Sequence, residues 1–362
     1  MATSEGRALS AHRLTIEPLG DVIDVAEGQT VLDACLRAGV YLPHACGHGL
    51  CGTCKTQILE GEVDHGEASP FALMDFERDE GFILACTARL QSDAAISADV
   101  EEDPDARRIV VRDFGGRVEA LDDLTPDVKG VRIVIEGEPI DFQAGQHINL
   151  EIPGLGASRA FSLANPPSEA RRIELQVRRV PGGAGTGYVH ETLKVGDRVT
   201  LSGPYGRFVV RKSRSGPLLF LAGGTGVASP RAMILDLLAE GRAEPITLIH
   251  GLRKAADLYG QDEFEALAAR HANFRYIAAL SEEPADSGWQ GERGFVHEVA
   301  KRVYGGMFAG QTAYLCGPPP MIEACIRTLM QGRLFEKHIF TERFLTAKDG
   351  AERPKSPLFK RL

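Results

Sequence analysis

The sequence predicts a multidomain protein that combines an α+β fold with an α/β fold, and three observations support this. With 362 residues, the chain is longer than the roughly 100–200 residues of one compact domain. Short strands separated by turn signals fill residues 110–210, as is typical of a closed six-stranded antiparallel β-barrel. Beyond residue 216, short apolar strands alternate with helices, which predicts a parallel doubly wound α/β sheet.

The domain limits follow from these changes of pattern. We expect a first domain at residues 12–100, the β-barrel at 108–212, the α/β domain at 216–344 and a polar C-terminal tail at 345–362. A charged stretch that contains Pro104 separates the first two domains, as expected of a linker.

The composition, with 43% hydrophobic and 25% charged residues, is ordinary for a globular protein. No stretch approaches the roughly 18 apolar residues that a membrane span needs, and the N-terminus lacks the apolar core of a signal peptide. We therefore expect a cytoplasmic protein with no membrane partner. The net charge of −9 argues against nucleic acid as a partner.

The negative charge is concentrated in one part of the chain. Residues 60–103 contain thirteen Asp and Glu residues against the cations Arg78 and Arg89, a balance of −11. A solvated acidic face would explain this concentration, and so would electrostatic steering toward a basic surface on a partner. The sequence leaves both explanations open.

The first domain begins with regular local signals. Residues 12–25 alternate apolar and polar side chains around a Leu-Gly-Asp turn, which predicts a β-hairpin. A helix follows, with Thr30 as N-cap and Asp33 at the capping-box position. Cys35 lies on the apolar side of this helix and is expected in the core. Residues 55–64 have the pattern of a second hairpin.

Four cysteines form the most distinctive pattern in the chain. Cys46, Cys51 and Cys54 are spaced C-x4-C-x2-C, and Cys86 follows later. Four thiolates in this spacing hold a plant-type 2Fe-2S cluster. Residues that tolerate φ > 0, and so let backbone N–H groups wrap the cluster, lie between them: Gly47, Gly49 and Gly52. A structural zinc site usually has two close pairs of ligands, and a disulfide framework is unexpected without a secretory signal.

The predicted barrel carries candidate positions for a phosphate-bearing aromatic ligand. Arg159 and Phe161 lie on one face of a strand, and Ser162 lies on the other. An arginine grips a pyrophosphate, an aromatic ring covers a flavin face, and a hydroxyl donates to a flavin ring. A strand arginine on a solvated face is the alternative. Glycine-rich turns at 183–188 and 203–206 add two more candidates.

The α/β domain carries two candidate turns. Gly224-x-Gly226-x-x-Ser229 follows a strand and opens a helix, where backbone N–H groups and the helix dipole can hold a dinucleotide pyrophosphate. Ser229 replaces the third glycine of the Rossmann fingerprint, which disfavours a generic Rossmann dehydrogenase. Cys316 begins a Cys-Gly-Pro-Pro-Pro-Met turn at the carboxyl end of a later strand, where α/β sheets bind ligands. A rigid strand-helix turn is the alternative there.

In this order, the cysteine motif and the segments RAFS, GGTGVASP and CGPPPM resemble those of NADH-dependent reductases of the ferredoxin-NADP reductase superfamily that serve bacterial aromatic-ring oxygenases. The resemblance covers residues 12–344. It implies a β-grasp-like 2Fe-2S ferredoxin domain, a FAD-binding barrel and a NAD-binding α/β domain. A closer resemblance, to the reductase components of multicomponent phenol hydroxylases, rests on LPHACGHGLCGTCK, GEVDHGEASPFALMDFERDE, ASRAFSLANPP, CGPPPMIEA and SPLFKRL.

The resemblance also implies residue roles. FAD would contact Arg159, Phe161, Ser162, Gly183 and Thr186. The NADH pyrophosphate would be held by Gly224, Thr225 and Gly226. The implied catalytic residues are Ser162, Cys316 near the nicotinamide, and Glu342, which with Phe344 would close over the flavin. Many relatives have Tyr where Phe161 stands, so a hydrogen bond from that ring is absent here.

An electron count gives the order of transfer. NADH gives two electrons as a hydride, a 2Fe-2S cluster takes one, and FAD can separate the pair. Electrons would pass from NADH to FAD, to the cluster and then to a terminal oxygenase, with the chain acting as a monomer. The alternatives are a reductase for a ring-hydroxylating dioxygenase and, from another class, a cluster-based redox sensor, which would show no rapid NADH turnover.

The preference for NADH over NADPH rests on a turn after a predicted strand. Ser281-Glu282-Glu283 places carboxylates where some NADPH-using relatives carry Arg, and NADPH needs a cation for its 2′-phosphate. Arg253 and Lys254 lie after the preceding strand and weigh against this preference.

Overall fold

The computed structural model describes residues 11–98 and 103–344, and they fall into two compact units. The first unit comprises the described residues up to 103 and residues 108–111. The second comprises residues 104–107 and 112–344, and it contains both the antiparallel and the parallel six-stranded sheet. The domain limits given above stay a prediction.

The first unit is an α+β fold. Its strands are β1 (Ala11–Glu17), β2 (Asp21–Ala26), β3 (Lys55–Glu60), β4 (Val63–Asp64), β5 (Phe82–Leu84), β6 (Arg89–Leu90) and β7 (Ala94–Ser97). Its helices are α1 (Val31–Arg37) and α2 (Asp75–Asp79). Five strands form a sheet in the order β2-β1-β7-β3-β5, in which β1 and β7 run parallel and the other neighbours antiparallel.

One of the two predicted hairpins is present. The hairpin at residues 12–25 is confirmed, since β1 and β2 pair antiparallel. The hairpin predicted at residues 55–64 is wrong, because β3 pairs with β5 and β7 whereas β4 pairs with β6. Gly61 lies so close to the start of β7 that an added Cβ would stand 2.4 Å from the Asp93 oxygen. The chain therefore runs past β7 here instead of turning back along β3.

Helix α1 begins as predicted, because Thr30 Oγ1 accepts a hydrogen bond from the Asp33 N–H at 3.3 Å. The Asp33 carboxylate does not complete a capping box among the described contacts; it accepts from Gln29 Nε2 at 2.7 Å and pairs with Arg37 at 2.9 Å. Cys35 is fully buried, and this burial raises the pKa of its thiol to about 12. Its prediction as a core residue is confirmed.

The antiparallel sheet of the second unit confirms the six predicted barrel strands. They are β8 (Arg112–Thr125), β9 (Val128–Ile135), β10 (His147–Ile152), β11 (Ala157–Ser162), β12 (Arg172–Arg178) and β13 (Arg198–Tyr205), with the short helix α3 (Ala184–Gly187) between the last two. Their order is β11-β10-β13-β8-β9-β12. The sheet closes beyond the end of β11, where the Ala164 N–H donates to the Glu174 oxygen and the Glu174 N–H donates to Asn165 Oδ1, both at 2.8 Å.

The parallel sheet confirms the predicted doubly wound domain. Its strands are β14 (Leu218–Gly223), β15 (Ile246–Leu252), β16 (Phe274–Leu280), β17 (Glu292–Arg293), β18 (Thr312–Gly317) and β19 (Ile339–Arg343). Its helices are α4 (Ala228–Ala239), α5 (Gln261–Arg270), α6 (Val296–Val303) and α7 (Pro319–Gln331). The order β17-β16-β15-β14-β18-β19 is parallel throughout the described pairings. Alternate residues of β14 enter different cores, Phe220 on one side and Leu219 and Leu221 on the other.

Arg231 of α4 ties the barrel to the parallel sheet. Its NH1 donates to the Ala164 oxygen at 2.7 Å and to Glu174 at 3.2 Å. Its Nε and NH2 form a bidentate pair with Glu263 of α5, at 2.7 and 2.9 Å. Bidentate pairs of this kind fix orientation as well as distance, so the barrel end is held against the helix that follows the glycine-rich turn.

Of the described helices, none has the length and apolar character needed to cross a membrane. The predicted tail at 345–362 lies outside the described residues.

Candidate functional site

Four cysteine side chains come together in the first unit. Cys46 and Cys51 lie in the loop between α1 and β3 and are partly exposed, whereas Cys54 and Cys86 are buried. Cys46 lies beside Cys51, and Cys54 lies beside Cys86. Among the described residues, no group of three or more His, Cys, Asp or Glu side chains is arranged to hold a single metal ion. The four cysteines instead form two pairs, an arrangement that fits the two irons of a 2Fe-2S cluster.

The loop favours the charged form of its first thiol. The neighbouring Cys51 thiol, together with backbone N–H groups that include those of His48 and Leu50 at 3.4 Å, lowers the pKa of Cys46 to about 5 despite partial burial. The Cys86 thiol likewise lowers the pKa of Cys54, and in return the pKa values of Cys51 and Cys86 are raised. Since metals bind the thiolate, the backbone N–H groups aimed at Cys46 are the feature of this loop that fits cluster ligation.

Glycines allow the cysteine loop to pack against residues 67–72. Gly49 has φ +74°, and an added Cβ would lie 2.9 Å from the Glu67 oxygen. The Ser69 N–H donates to the Gly49 oxygen at 3.0 Å, and a Cβ on Gly52 would lie 3.3 Å from the Ala72 oxygen. All three predicted glycines, Gly47, Gly49 and Gly52, have positive φ. The loop thus needs glycine for its backbone and, at Gly49, for its packing.

Strand β11 presents its candidate residues on two faces. Phe161 packs against the barrel core, and Arg159 shares its face by strand alternation. Ser162 lies on the other face and donates to Glu342 Oε2 at 3.5 Å. The contact of these residues with FAD stays a prediction.

The turn at residues 183–187 lies directly beside Arg159. A Cβ on Gly185 would stand 2.5 Å from Arg159 Cγ, so the missing side chain lets the arginine stem pack on the turn. Thr186 Oγ1 accepts from the Val180 N–H at 3.1 Å and donates to the Gly183 oxygen at 3.3 Å, which fixes the turn. The fold therefore brings together two predicted phosphate-binding segments. A guanidinium beside a glycine turn fits a pyrophosphate.

An open cleft of about 1040 Å³ lies against this turn. Its lining residues include Gly183 and two ion pairs, Arg178 with Asp127 at 2.8 Å and Arg179 with Glu191. Arg159, Phe161 and Ser162 are not among its lining residues. A cleft of this size can hold a large ligand, so the turn at residues 183–187 opens onto space that a dinucleotide would fit.

Buried polar side chains support the glycine-rich turn after β14. The Gly224 oxygen accepts from His250 Nε2 at 3.0 Å and from the Tyr259 hydroxyl at 3.4 Å. Burial lowers the pKa of His250 to about 4, so its imidazole is neutral and donates through Nε2. Sequence reasoning missed both side chains, although a histidine within the apolar strand ITLIHGL was an available signal.

The same turn packs against the end of β18. A Cβ on Gly226 would lie 2.4 Å from the Cys316 oxygen, and Gly224 has φ +55°. The turn is thus fixed at the carboxyl end of the sheet, and its glycine backbone leaves room for a pyrophosphate at the start of α4. Phe344 lies nearby, since its N–H donates to the Gly317 oxygen at 3.0 Å and its ring packs against the core that contains Cys316.

Glu342 joins side chains from several segments of the second unit. Its Oε2 accepts from Ser229 at 2.7 Å, from Cys316 at 3.4 Å and from Ser162 at 3.5 Å. Its Oε1 lies 3.8 Å from His147 Nδ1. The fold therefore brings the predicted trio of Ser162, Cys316 and Glu342 to one point, and their catalytic roles stay a prediction.

Burial raises the pKa values of two groups at this point. The Glu342 side chain is 17% exposed, and desolvation raises the pKa of its carboxyl. Burial, followed by the nearby Glu342 charge, raises the pKa of Cys316 well above its ordinary value. Sequence reasoning missed the participation of Ser229 and His147; the departure of Ser229 from the Rossmann fingerprint was the available signal for one of them.

Three domain families match the chain in the predicted order. The 2Fe-2S iron-sulfur cluster binding domain matches residues 14–91, the oxidoreductase FAD-binding domain matches 116–210, and the oxidoreductase NAD-binding domain matches 220–327. The predicted cofactors, a 2Fe-2S cluster, FAD and NAD, are thereby confirmed.

Reductases of oxygenase systems are similar to almost the whole chain. It is 59% identical to the phenol 2-monooxygenase reductase component of Pseudomonas sp. strain CF600, over 97% of this chain and 100% of that protein. It is 52% identical to the phenol hydroxylase P5 protein of Acinetobacter pittii over the same shares. The crystal structure of the Amycolatopsis reductase GcoB matches with a TM-score of 0.85 at 37% identity, over 92% of this chain and 98% of that one. The chain belongs to the family of oxygenase reductase components, oxidoreductases that join a 2Fe-2S domain to FAD- and NAD-binding domains of the ferredoxin reductase fold.

Proposed function

We propose that this chain is the reductase component of a phenol-hydroxylating monooxygenase, acts as a cytoplasmic monomer, and passes electrons from NADH to the oxygenase. The observation that carries the proposal is the 59% identity, over nearly the full length, to a phenol 2-monooxygenase reductase component.

The second unit would bind the two nucleotides so that their reacting ends meet. The turn with Gly224, Thr225 and Gly226 would hold the NADH pyrophosphate through backbone N–H groups at the start of α4. Arg159, beside the fixed turn at residues 183–187, would hold the FAD pyrophosphate. When bound, FAD accepts a hydride from NADH and passes electrons on singly. The chain's main contribution is then orientation.

At the meeting point, burial raises the pKa of the Glu342 carboxyl. Ser229 and Cys316 both donate to Oε2, so a proton that the carboxyl takes up would lie on Oε1, which faces His147. Cys316, fully buried with a raised pKa, would present a neutral thiol to the nicotinamide.

Cys46, Cys51, Cys54 and Cys86 would ligate the cluster. Cys46 and Cys51 are the more exposed pair, so the cluster approaches the surface on their side. Electrons would leave the protein there, because transfer slows steeply with distance.

The purified holoprotein tests the proposal. It should reduce ferricyanide rapidly with NADH and, with a phenol hydroxylase oxygenase component, couple NADH oxidation to phenol hydroxylation. A Cys54→Ser variant should keep the first activity and lose the second. Loss of both activities while FAD stays bound would contradict the linear order of transfer, and slow NADH turnover with every acceptor would favour a redox sensor.

A further inference from the structure

The segment that packs on the cysteine loop carries an exposed apolar and acidic surface. Phe71 is 72% exposed, Phe76 57% and Met74 39%, whereas Ala72 and Leu73 between them are buried. The negatively charged side chains of Asp75, Asp79 and Glu80 are exposed as well. We call Phe71, Met74 and Phe76 with the carboxylates Asp75, Asp79 and Glu80 the aromatic-acidic patch. Two exposed aromatic rings and a methionine on one short segment, next to exposed carboxylates, are typical of an interaction site.

Side chains of the same segment that point inward hold the patch in place. Glu77 Oε2 accepts from the Met74 N–H at 2.9 Å, and its Oε1 pairs with Lys55 Nζ at 2.5 Å. The side chains of this pair are only 15% and 19% exposed. Arg78 NH2 donates inward to the Ala68 oxygen at 3.3 Å. Glu77 and the two cations therefore serve the fold of the segment, and the charge that the patch presents is negative.

The patch is continuous with the loop around the four cysteines. The Ser69 N–H donates to Gly49, and a Cβ on Gly52 would touch the Ala72 oxygen. Gly52 is the direct neighbour of the ligand candidate Cys51. A protein seated on Phe71 would therefore lie close to the cluster ligands, as single-electron transfer requires.

We propose that the aromatic-acidic patch is the docking surface for the oxygenase component. The inference rests on the proposed function, because it takes the oxygenase as the electron acceptor. The surface it fits has an apolar depression for Phe71 and Phe76 and a rim of Lys and Arg side chains, since interfaces combine a desolvated aromatic centre with a polar rim. The carboxylates Asp75, Asp79 and Glu80 steer the encounter, and Phe71 anchors the complex.

The test compares Phe71→Ala and Phe76→Ala with Phe335→Ala, a matched control whose ring is 70% exposed in the second unit. The second-order rate of oxygenase reduction is measured at oxygenase concentrations below saturation. At least one patch variant should fall about fivefold or more, the effect of losing an anchoring aromatic side chain, while Phe335→Ala stays at the wild-type rate. The cluster absorption, the reduced-cluster paramagnetic signal and NADH-to-ferricyanide turnover should be unchanged in all three.

A double charge reversal, Asp79→Lys with Glu80→Lys, tests the rim. It should lower the rate at low ionic strength and flatten its salt dependence, because exposed charges act mainly on association.

Each outcome is decisive. Equal oxygenase reduction by Phe71→Ala, Phe76→Ala and Phe335→Ala overturns the docking inference and leaves the proposed function intact. Slower cluster reduction by NADH in the variants without any oxygenase present assigns the patch to transfer within the chain and also overturns it. A wild-type holoprotein that reduces ferricyanide but not the oxygenase overturns the proposed function, and this inference with it.

Discussion

Replacing Gly226 by Ala should displace the glycine-rich turn from the end of β18. An added Cβ would lie 2.4 Å from the Cys316 oxygen, 2.7 Å from the Cys316 carbonyl carbon and 2.9 Å from Gly317 Cα. All three neighbours are backbone atoms of a strand that is paired with β14 on one side and β19 on the other. No side chain can rotate away, so the backbone must move by about 1 Å to reach ordinary contact distances.

The magnitude follows from overpacking. One added carbon in a tightly packed site costs about 1–3 kcal/mol. For a unit of this size each kcal/mol lowers the melting temperature by about 2–4 °C, so a loss near 2 kcal/mol means a fall of about 4–8 °C. A shift of about 1 Å in a positioning group can also reduce turnover up to about 100-fold. We therefore expect a large loss of NADH turnover and a modest loss of thermal stability.

The assay is NADH-dependent ferricyanide reduction together with thermal unfolding of the holoprotein. Gly226→Ala should lower kcat/KM for NADH strongly, through a higher KM or a lower kcat. The flavin and cluster spectra should stay as in the wild type. Gly115→Ala is the matched control, because its Cβ would lie at an ordinary contact distance, 3.5 Å, from the end of the Glu136 side chain. Wild-type kinetics and melting for Gly226→Ala would refute the packing argument.

Three further predictions concern separate parts of the chain. Cys54→Ser should abolish the paramagnetic signal of the reduced cluster while Cys35→Ser keeps it, because Cys35 is a fully buried core residue of α1; a cluster lost with Cys35→Ser would mean that the ligands are misassigned. Glu283→Arg should raise kcat/KM for NADPH relative to NADH, since the carboxylate, which accepts the Ala255 N–H at 2.7 Å, would give way to a cation for the 2′-phosphate; an unchanged ratio argues against this turn as the selector. Burial raises the pKa of Glu342, so the stability it contributes is present while the carboxyl is protonated and is lost as pH rises from its ordinary pKa of about 4.3 through the raised one. The melting temperature of Glu342→Gln should accordingly fall less with rising pH over that window than the melting temperature of the wild type. Identical pH profiles would show that Glu342 ionises normally.

Features set by residues close together in the chain were readable from the sequence. The spacing of Cys46, Cys51 and Cys54 is a property of one loop, and the glycines between them report a local need for positive φ. The change from short strands separated by turns to strands alternating with helices is likewise local, so it predicted a six-stranded antiparallel sheet followed by a parallel one. Thr30 as a helix cap depends on a neighbour three residues away, and it too was predicted correctly.

What only the tertiary structure decided depends on residues far apart. The 55–64 hairpin was wrong because β3 and β4 find partners elsewhere, and local alternation does not specify a partner. Ser229 meets Glu342 across 113 residues of chain, and nothing in the spacing of either residue announces that contact. The acidic stretch did not reveal that Glu77 is internally paired while Phe71 and Phe76 are exposed. Burial is set by the whole fold, whereas the sequence determines only which side chains are available to be buried.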